Sequence, residues 1–237
     1  MILDIGLPTE PFFSVIIPTF NRHHLVTKAI DSVLAQTLTE WELIIIDDGS
    51  IDGSYDWIDV YAREDARIRY HYSKNRGLAL ARNLGISMGQ GKYFTFLDSD
   101  DEYRADHLDI RAAYLREHPD VELLHGGVEV IGPDMVADKF DPTRQIPISE
   151  CVVGGTFCIK RELAERLHGF RNVPYGDDND FFSRATASGA IIHKMDAPTY
   201  RYNRLEPDSL CAIVEREGLE GIRKFRGISN GEENDNV

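Results

Sequence analysis

The sequence predicts an α/β fold with a central, mostly parallel sheet flanked by helices. Two observations carry this. Short β-rich runs alternate with helical periodicity through the first half, the pattern of βαβ units. Several of these runs are almost wholly apolar, as strands covered on both faces must be. Length sets the scale: 237 residues suit one large domain, since a single core extends to about 250 residues before a chain divides.

Phe13 to Ile17 reads as the first strand. Leu25, Val26, Ala29, Ile30, Val33 and Leu34 then recur at helical spacing, and Glu42 to Ile46 forms a second, apolar strand, completing one right-handed crossover. Helix is predicted over Tyr55 to Arg63, strand over Ile68 to Tyr72, helix over Leu78 to Met88 and strand over Tyr93 to Leu97. The alternation then weakens, marking a change of architecture. Residues 103–118 read as helix, Val121 to His125 and Val128 to Ile131 as strands, and Gly132 to Pro147 as a loop. Cys151 to Ile159 reads as strand, Arg161 to Leu167 and Phe181 to Ala187 as helices, and Ile191 to Met195 as the final strand. The expected unit is one domain over 1–227, followed by a polar, acidic tail over 228–237.

Composition narrows the function. A formal charge of −14 from 26 basic and 40 acidic residues repels nucleic-acid phosphates, so nucleic acid is not an expected partner. An anionic nucleotide would need helix N-termini, placed arginines or a divalent cation to offset that charge. Three cysteines without metal-like spacing predict no disulfide framework, consistent with a reducing cytoplasm. The apolar runs are strand-sized, so no membrane span or secretion signal is expected. Nothing in the sequence indicates an oligomeric state.

Polar clusters follow the early strands, at the ends where open parallel sheets bind ligands. The first is Pro18-Thr19-Phe20-Asn21-Arg22 and the second Asp47-Asp48-Gly49-Ser50. The second also suits a helix cap and turn. The third is Asp98-Ser99-Asp100-Asp101, directly after an apolar strand. Carboxylates so crowded repel one another unless a cation sits among them, and oxygen ligands suit Mg²⁺ or Mn²⁺, which also take substrate phosphates. A solvated acidic turn is the alternative. The fourth is Gly176-Asp177-Asp178-Asn179-Asp180, readable either as electrostatic capping of a helix or as the seat of a general base. Around Asn75-Arg76-Gly77, a helix N-terminus favours phosphate, whereas Arg82 suits either that role or a solvated helix face. His125 and His193 read as core or edge residues; the sequence leaves Arg201 and Arg204 unplaced. GxSxG and Walker A motifs are missing.

Taken in order, Ser14 to Arg22, Ile46 to Ser50, Asn75-Arg76-Gly77 with Ala81-Arg82-Asn83, Phe96 to Asp101, and Asp177-Asp178 resemble the family 2 glycosyltransferases with the GT-A, Rossmann-like fold. The resemblance covers about residues 12 to 210. It implies a nucleotide-binding half at about 12–101 and a smaller acceptor-side half at about 102–215. Pro18, Thr19, Phe20, Arg22, Asp48, Asn75, Arg76, Gly77, Arg82, Asp98 and Ser99 would bind the nucleotide, with Asp48 near the base. Asp98 and Asp100 match the DxD element that holds Mg²⁺ or Mn²⁺. Asp178 falls where the family's catalytic base lies, although the family's Glu-Asp reads Asp177-Asp178 here, which leaves Asp177 as the rival. The implied activity is inverting transfer from a nucleotide sugar, a UDP-sugar, to a glycan or lipid-linked acceptor, by a cytoplasmic enzyme compatible with peripheral membrane attachment. The alternatives are an inactive nucleotide-sugar-binding or scaffold protein of the same fold, and a sugar nucleotidyltransferase, whose Gly-rich, arginine-containing N-terminal loop is missing. A DxD-type phosphatase is disfavoured because its nucleophilic aspartate follows the first strand.

Overall fold

The computed structural model describes residues 10–137, 144–173 and 175–225. In chain order its elements are β1 (Phe13–Thr19), α1 (His23–Leu34), β2 (Trp41–Asp47), α2 (Ser54–Glu64), β3 (Ile68–Tyr72), α3 (Leu78–Met88), β4 (Tyr93–Phe96), β5 (Glu102–Tyr103), α4 (His107–Glu117), β6 (Leu123–His125), β7 (Val128–Ile131), β8 (Met135–Ala137), β9 (Gln145–Pro147), β10 (Cys158–Lys160), α5 (Arg161–Arg166), α6 (Asp177–Ala187), β11 (Ile192–Lys194), β12 (Tyr200–Asn203) and α7 (Leu210–Phe225).

Seven strands form the main sheet in the order β11-β6-β10-β4-β1-β2-β3. β1 pairs in parallel with both β2 and β4, and β10 runs antiparallel between β4 and β6. Strand order therefore reverses at β1, the switch point beside which such sheets bind ligands. The antiparallel run of β10 brings its amino end, with Gly154, to the edge where the parallel strands present their carboxyl ends.

The pleat divides the core. Val15, Ile17, Leu43 and Ile45 face α1, α2 and α4, packing with Val26, Ile30, Ile58, Leu108 and Leu115. Ile16, Phe94 and Phe96 point the other way, onto Ala79, Leu163 and Phe181 of α3, α5 and α6. Every residue of β1 and β2 is buried, which is why these strands read as apolar runs without alternation. α3 lies close to β1 because Gly85 has no side chain: a Cβ there would stand 2.5 Å from Ile16 Cγ2.

The second half departs from the expected elements. Residues 103–118 are not one helix: Glu102–Tyr103 pairs with β12, and α4 begins at His107. The stretch expected as a loop contains the hairpin β8–β9, its residues 138–143 lying outside the described residues. Of the strand expected over Cys151 to Ile159, only its end pairs in the sheet, as Cys158–Lys160, because Gly154–Thr156 closes a 3-10 turn. α6 begins at Asp177 rather than Phe181, so the acidic cluster is its first turn. Ile192–Lys194 is not the last strand; β12 and α7 follow, and β5-β12-β7 form a separate small sheet. The predicted tail, 228–237, falls outside the described residues.

Candidate active site

A cleft of about 1020 Å³ opens along the carboxyl edge of the sheet. Of the residues named from the sequence, Pro18, Thr19, Phe20, Arg22, Asp48, Asn75, Gly77, Arg82, Asp98, Ser99, Asp100 and Asp178 line it. Arg76 does not. Its side chain is exposed and borders a separate hollow behind α3, while its backbone N–H serves the cleft indirectly.

The loops after β1, β2 and β3 are tied into one floor. Asp47, fully buried, accepts from Ser50 N–H at 2.7 Å and Tyr70 Oη at 2.8 Å. Ser50 Oγ accepts from Asn21 N–H at 2.8 Å, and Asn21 Oδ1 from Ile51 N–H at 2.9 Å. Asp48 accepts the N–H groups of Arg76 (2.8 Å) and Gly77 (2.7 Å), one on each oxygen. This carboxylate thus holds the turn that opens α3 and itself lines the cleft. Gly49 is needed here: φ is +92°, and a Cβ would lie 2.9 Å from Asn75 N. Thr19 is 3% exposed and its hydroxyl has no hydrogen-bond partner, a buried polar group facing a ligand space.

Arg82 joins the two acidic clusters. It projects from α3, is 3% exposed, and donates to Asp98 Oδ1 and Asp177 Oδ2, each at 2.9 Å. Its guanidinium sits near the faces of Phe96 and Phe170, 5.7 and 5.5 Å from their centroids. The solvated-face reading of Arg82 is thereby excluded. Asn83, one residue on, exchanges two hydrogen bonds of 2.7 Å with the backbone of Phe170 and anchors the segment leading to α6.

The three aspartates of α6 diverge. Asp177 lines the cleft and is held by Arg82; Asp180 pairs with Arg184 at 2.7 Å and Arg171 at 3.5 Å. Asp178 lines the cleft and accepts the N–H of Gly154 at 3.1 Å and of Asn179 at 2.7 Å. Burial, reinforced by the charge of Asp177 and opposed by Arg82, pushes its carboxyl up to about 6. Asp100 is likewise pushed up to about 6, by burial and then by Asp98. Asp101, not singled out from the sequence, is 2% exposed and turned inward, accepting from Tyr200 Oη at 2.5 Å and Asn203 N–H at 2.7 Å.

The donor set bears on the expected cation. Among the described residues no three His, Cys, Asp or Glu side chains gather closely enough to enclose a metal. Asp98 is shared with Arg82, whereas Asp100 offers the cleft a carboxylate whose charge burial disfavours. That set fits Mg²⁺ or Mn²⁺ bound by one or two carboxylates and completed by substrate phosphate and water, and does not fit an all-protein cage.

The cleft is also lined by residues that sequence reading did not resolve: Val136 and Ile146 of the hairpin, Val173, Tyr175, Tyr202, and Leu210 of α7. The hydroxyls of Tyr175 and Tyr202 meet Cys211 Sγ at 3.4 and 3.2 Å. Arg22 reaches across to donate to the backbone oxygen of Asp208. The alternation of aromatic and polar residues over Tyr200-Arg201-Tyr202-Asn203 was a period-two signal for β12. Of the basic pair left unplaced, Arg201 pairs with Glu102 at 3.2 Å and Arg204 with Glu215 at 2.8 Å. His125 packs on Phe182, burial holding its ring down at about 4, and His193 meets Tyr114 Oη at 2.9 Å; both are structural contacts.

A mostly parallel sheet that reverses at β1, with an Asp-x-Asp turn after β4 and a second acidic turn facing it, is the architecture of the GT-A glycosyltransferases. The family model described as Glycosyl transferase family 2 matches residues 14–132, and the chain belongs to that family. EpsJ of Bacillus subtilis, an uncharacterized glycosyltransferase, is 43% identical over 228 residues, spanning 89% of this chain and 66% of EpsJ. The Escherichia coli protein WfgD, a UDP-Glc:α-D-GlcNAc-diphosphoundecaprenol β-1,3-glucosyltransferase, is 29% identical over 173 residues, 71% of this chain and 66% of WfgD. The mannosyltransferase PcManGT from Pyrobaculum calidifontis, solved with GDP-Man and Mn²⁺, superposes with a TM-score of 0.68 at 20% identity over 94% of this chain and 66% of that one. Three other curated relatives are matched over only 17% to 43% of their length.

Proposed function

We propose that this chain is an inverting glycosyltransferase that uses a divalent cation to move a sugar from a UDP-sugar to a hydroxyl of a glycan or lipid-linked acceptor in polysaccharide synthesis. The observation that carries this reading is the Arg82 bridge, which sets the Asp98–Asp101 turn and the Asp177–Asp178 turn on one cleft. The donor and acceptor named for WfgD and the nucleotide sugar and Mn²⁺ seen with PcManGT support it.

Residues of about 12–101 hold the donor. Thr19 offers its unpartnered hydroxyl, and Pro18, Phe20 and Arg22 wall the nucleoside end, while Asp48 keeps the Asn75–Gly77 turn in place beneath it. Asp100, with Asp98, would hold the cation, which would supply Lewis-acid stabilisation of negative charge on the departing diphosphate. Residues of about 102–215 receive the acceptor. Asp178 takes the proton of the acceptor hydroxyl, whose oxygen attacks the anomeric carbon from the face opposite the nucleotide and inverts it in one displacement. A carboxyl pushed up to about 6 suits this task, because a general base works best with a pKa close to the operating pH. Asp177 is the weaker candidate, since Arg82 already holds its Oδ2. No helix among the described residues is long and apolar enough to cross a membrane; the proposed location is cytoplasmic, against the membrane when the acceptor is lipid-linked.

A thermal-shift screen of nucleotide sugars with Mn²⁺ identifies the donor, and UDP release from that donor then tests turnover. Asp178→Asn should lower turnover by about 10²–10⁴-fold and leave UDP–Mn²⁺ affinity intact. Undiminished turnover in that variant would remove Asp178 as the base. Donor binding by the unaltered protein without hydrolysis or transfer to any acceptor would favour a scaffold protein of the same fold.

A further inference from the structure

We infer that Tyr200 is a positioning residue that clamps the acidic turn after β4 and sets it against the turn that holds Asp178; this rests on the functional reading above. Residues 98–101 form a four-residue turn closed by Asp101 N–H donating to Asp98 O at 3.0 Å. Asp100 stands at its third position. Tyr200 Oη touches both ends of that turn, donating to Asp101 Oδ2 at 2.5 Å and accepting from Asp98 N–H at 3.4 Å. The other Asp101 oxygen accepts Asn203 N–H at 2.7 Å. One strand, β12, thus grips the turn by a hydroxyl and by its own backbone. A turn pinned at its ends leaves its central residues with a fixed direction, and Asp100 and Ser99 face the cleft.

The same ring bears on the opposite side of the site. A Cβ at Gly155 would lie 2.1 Å from Tyr200 Oη and 2.4 Å from Cζ, so the 3-10 turn Gly154–Thr156 rests directly on the tyrosine. Gly154, its first residue, donates to Asp178 Oδ2. Tyr200 is fully buried and packed edge-on to Tyr103, with the His107 ring close by; it therefore has no freedom to swing away from either turn. The spacing between the Asp100 and Asp178 carboxylates is transmitted through one immobile phenol that does not itself line the cleft.

Tyr200→Phe keeps the ring and removes only the grip on Asp98 and Asp101. Tyr103→Phe is the control: it deletes another buried hydroxyl of the same cluster, one bonded to Phe96 O at 2.7 Å. Calorimetric titration with UDP, with and without Mn²⁺, should show Tyr200→Phe losing metal-dependent affinity by about tenfold, the scale of a lost buried hydrogen bond to a charged group, while its metal-free affinity is unchanged. Tyr103→Phe should lose melting temperature without losing metal-dependent affinity. Equal retention of metal-dependent affinity in both variants would overturn the clamp, as would a parallel loss of metal-free affinity in Tyr200→Phe. Absence of any metal-dependent UDP or GDP binding by the unaltered protein would instead sink the nucleotide-sugar reading, and the clamp with it.

Discussion

Asp177, Asp178 and Asp180 share one helical turn yet meet different partners, because successive residues of a helix point about 100° apart. Asp177 and Asp180 each find an arginine; Asp178 finds two backbone amides. Its raised carboxyl gives a signed expectation. As a base it must be ionised, so kcat/KM should fall as pH drops through about 6, and a profile flat from pH 8 to 5 would contradict the role. Stability runs the opposite way. The folded pKa lies above the ordinary 3.8, so the folded chain binds this proton more tightly; that contribution is complete below about 4 and is lost as pH rises through about 6. Asp178→Asn should therefore stabilise the ligand-free protein at pH 8, with the gain shrinking towards pH 4, as urea titration at the two pH values would show.

At the scale of elements, α3 does most to assemble the site. Its first turn is held by Asp48, its middle carries Arg82, and Gly85 lets it lie against β1. Removing Arg82 would leave Asp98 and Asp177 facing each other without their shared counter-ion. Breaking such a buried pair costs about 3–5 kcal/mol, so Arg82→Met should unfold at markedly lower urea, whereas an exposed-pair truncation such as Arg63→Met should shift the midpoint little. Gly85→Ala should cost about 1–3 kcal/mol by overpacking onto Ile16. An unchanged midpoint in Gly85→Ala would mean that α3 can retreat from the sheet.

For the whole molecule, two acidic turns on an already acidic chain oppose a diphosphate unless a cation accompanies it. Mn²⁺ alone should raise the melting temperature little, since the described residues offer it no complete cage. UDP with Mn²⁺ should raise it most, reaching about 2.7 kcal/mol of stabilisation at a hundred times the Kd, and excess EDTA should remove the metal-dependent share. Equal shifts with UDP in Mn²⁺ and in EDTA would argue against a cation at Asp100.

The first half was legible because its strands are buried on both faces and its helices carry one apolar stripe, so local pattern and tertiary environment agree from Phe13 to Phe96. The motifs at the ends of those strands were legible for the same reason: their place in the chain fixes their place on the sheet edge. The second half was harder to read. β5, β8 and β9 are two or three residues long, too short to show a period, and β5 finds its partner only across the chain; the first turn of α6 looks like a loop until its aspartates are seen to serve Arg82 and Gly154. The sequence by itself therefore determined the α/β class, the family and the acidic groups on which the proposed chemistry depends. Only the tertiary structure decided that Asp98 and Asp177 share Arg82 while Asp178 meets backbone amides, and that Tyr200 stands between the two turns. Those outcomes depend on contacts between residues 16 to 102 positions apart, which no local spacing encodes.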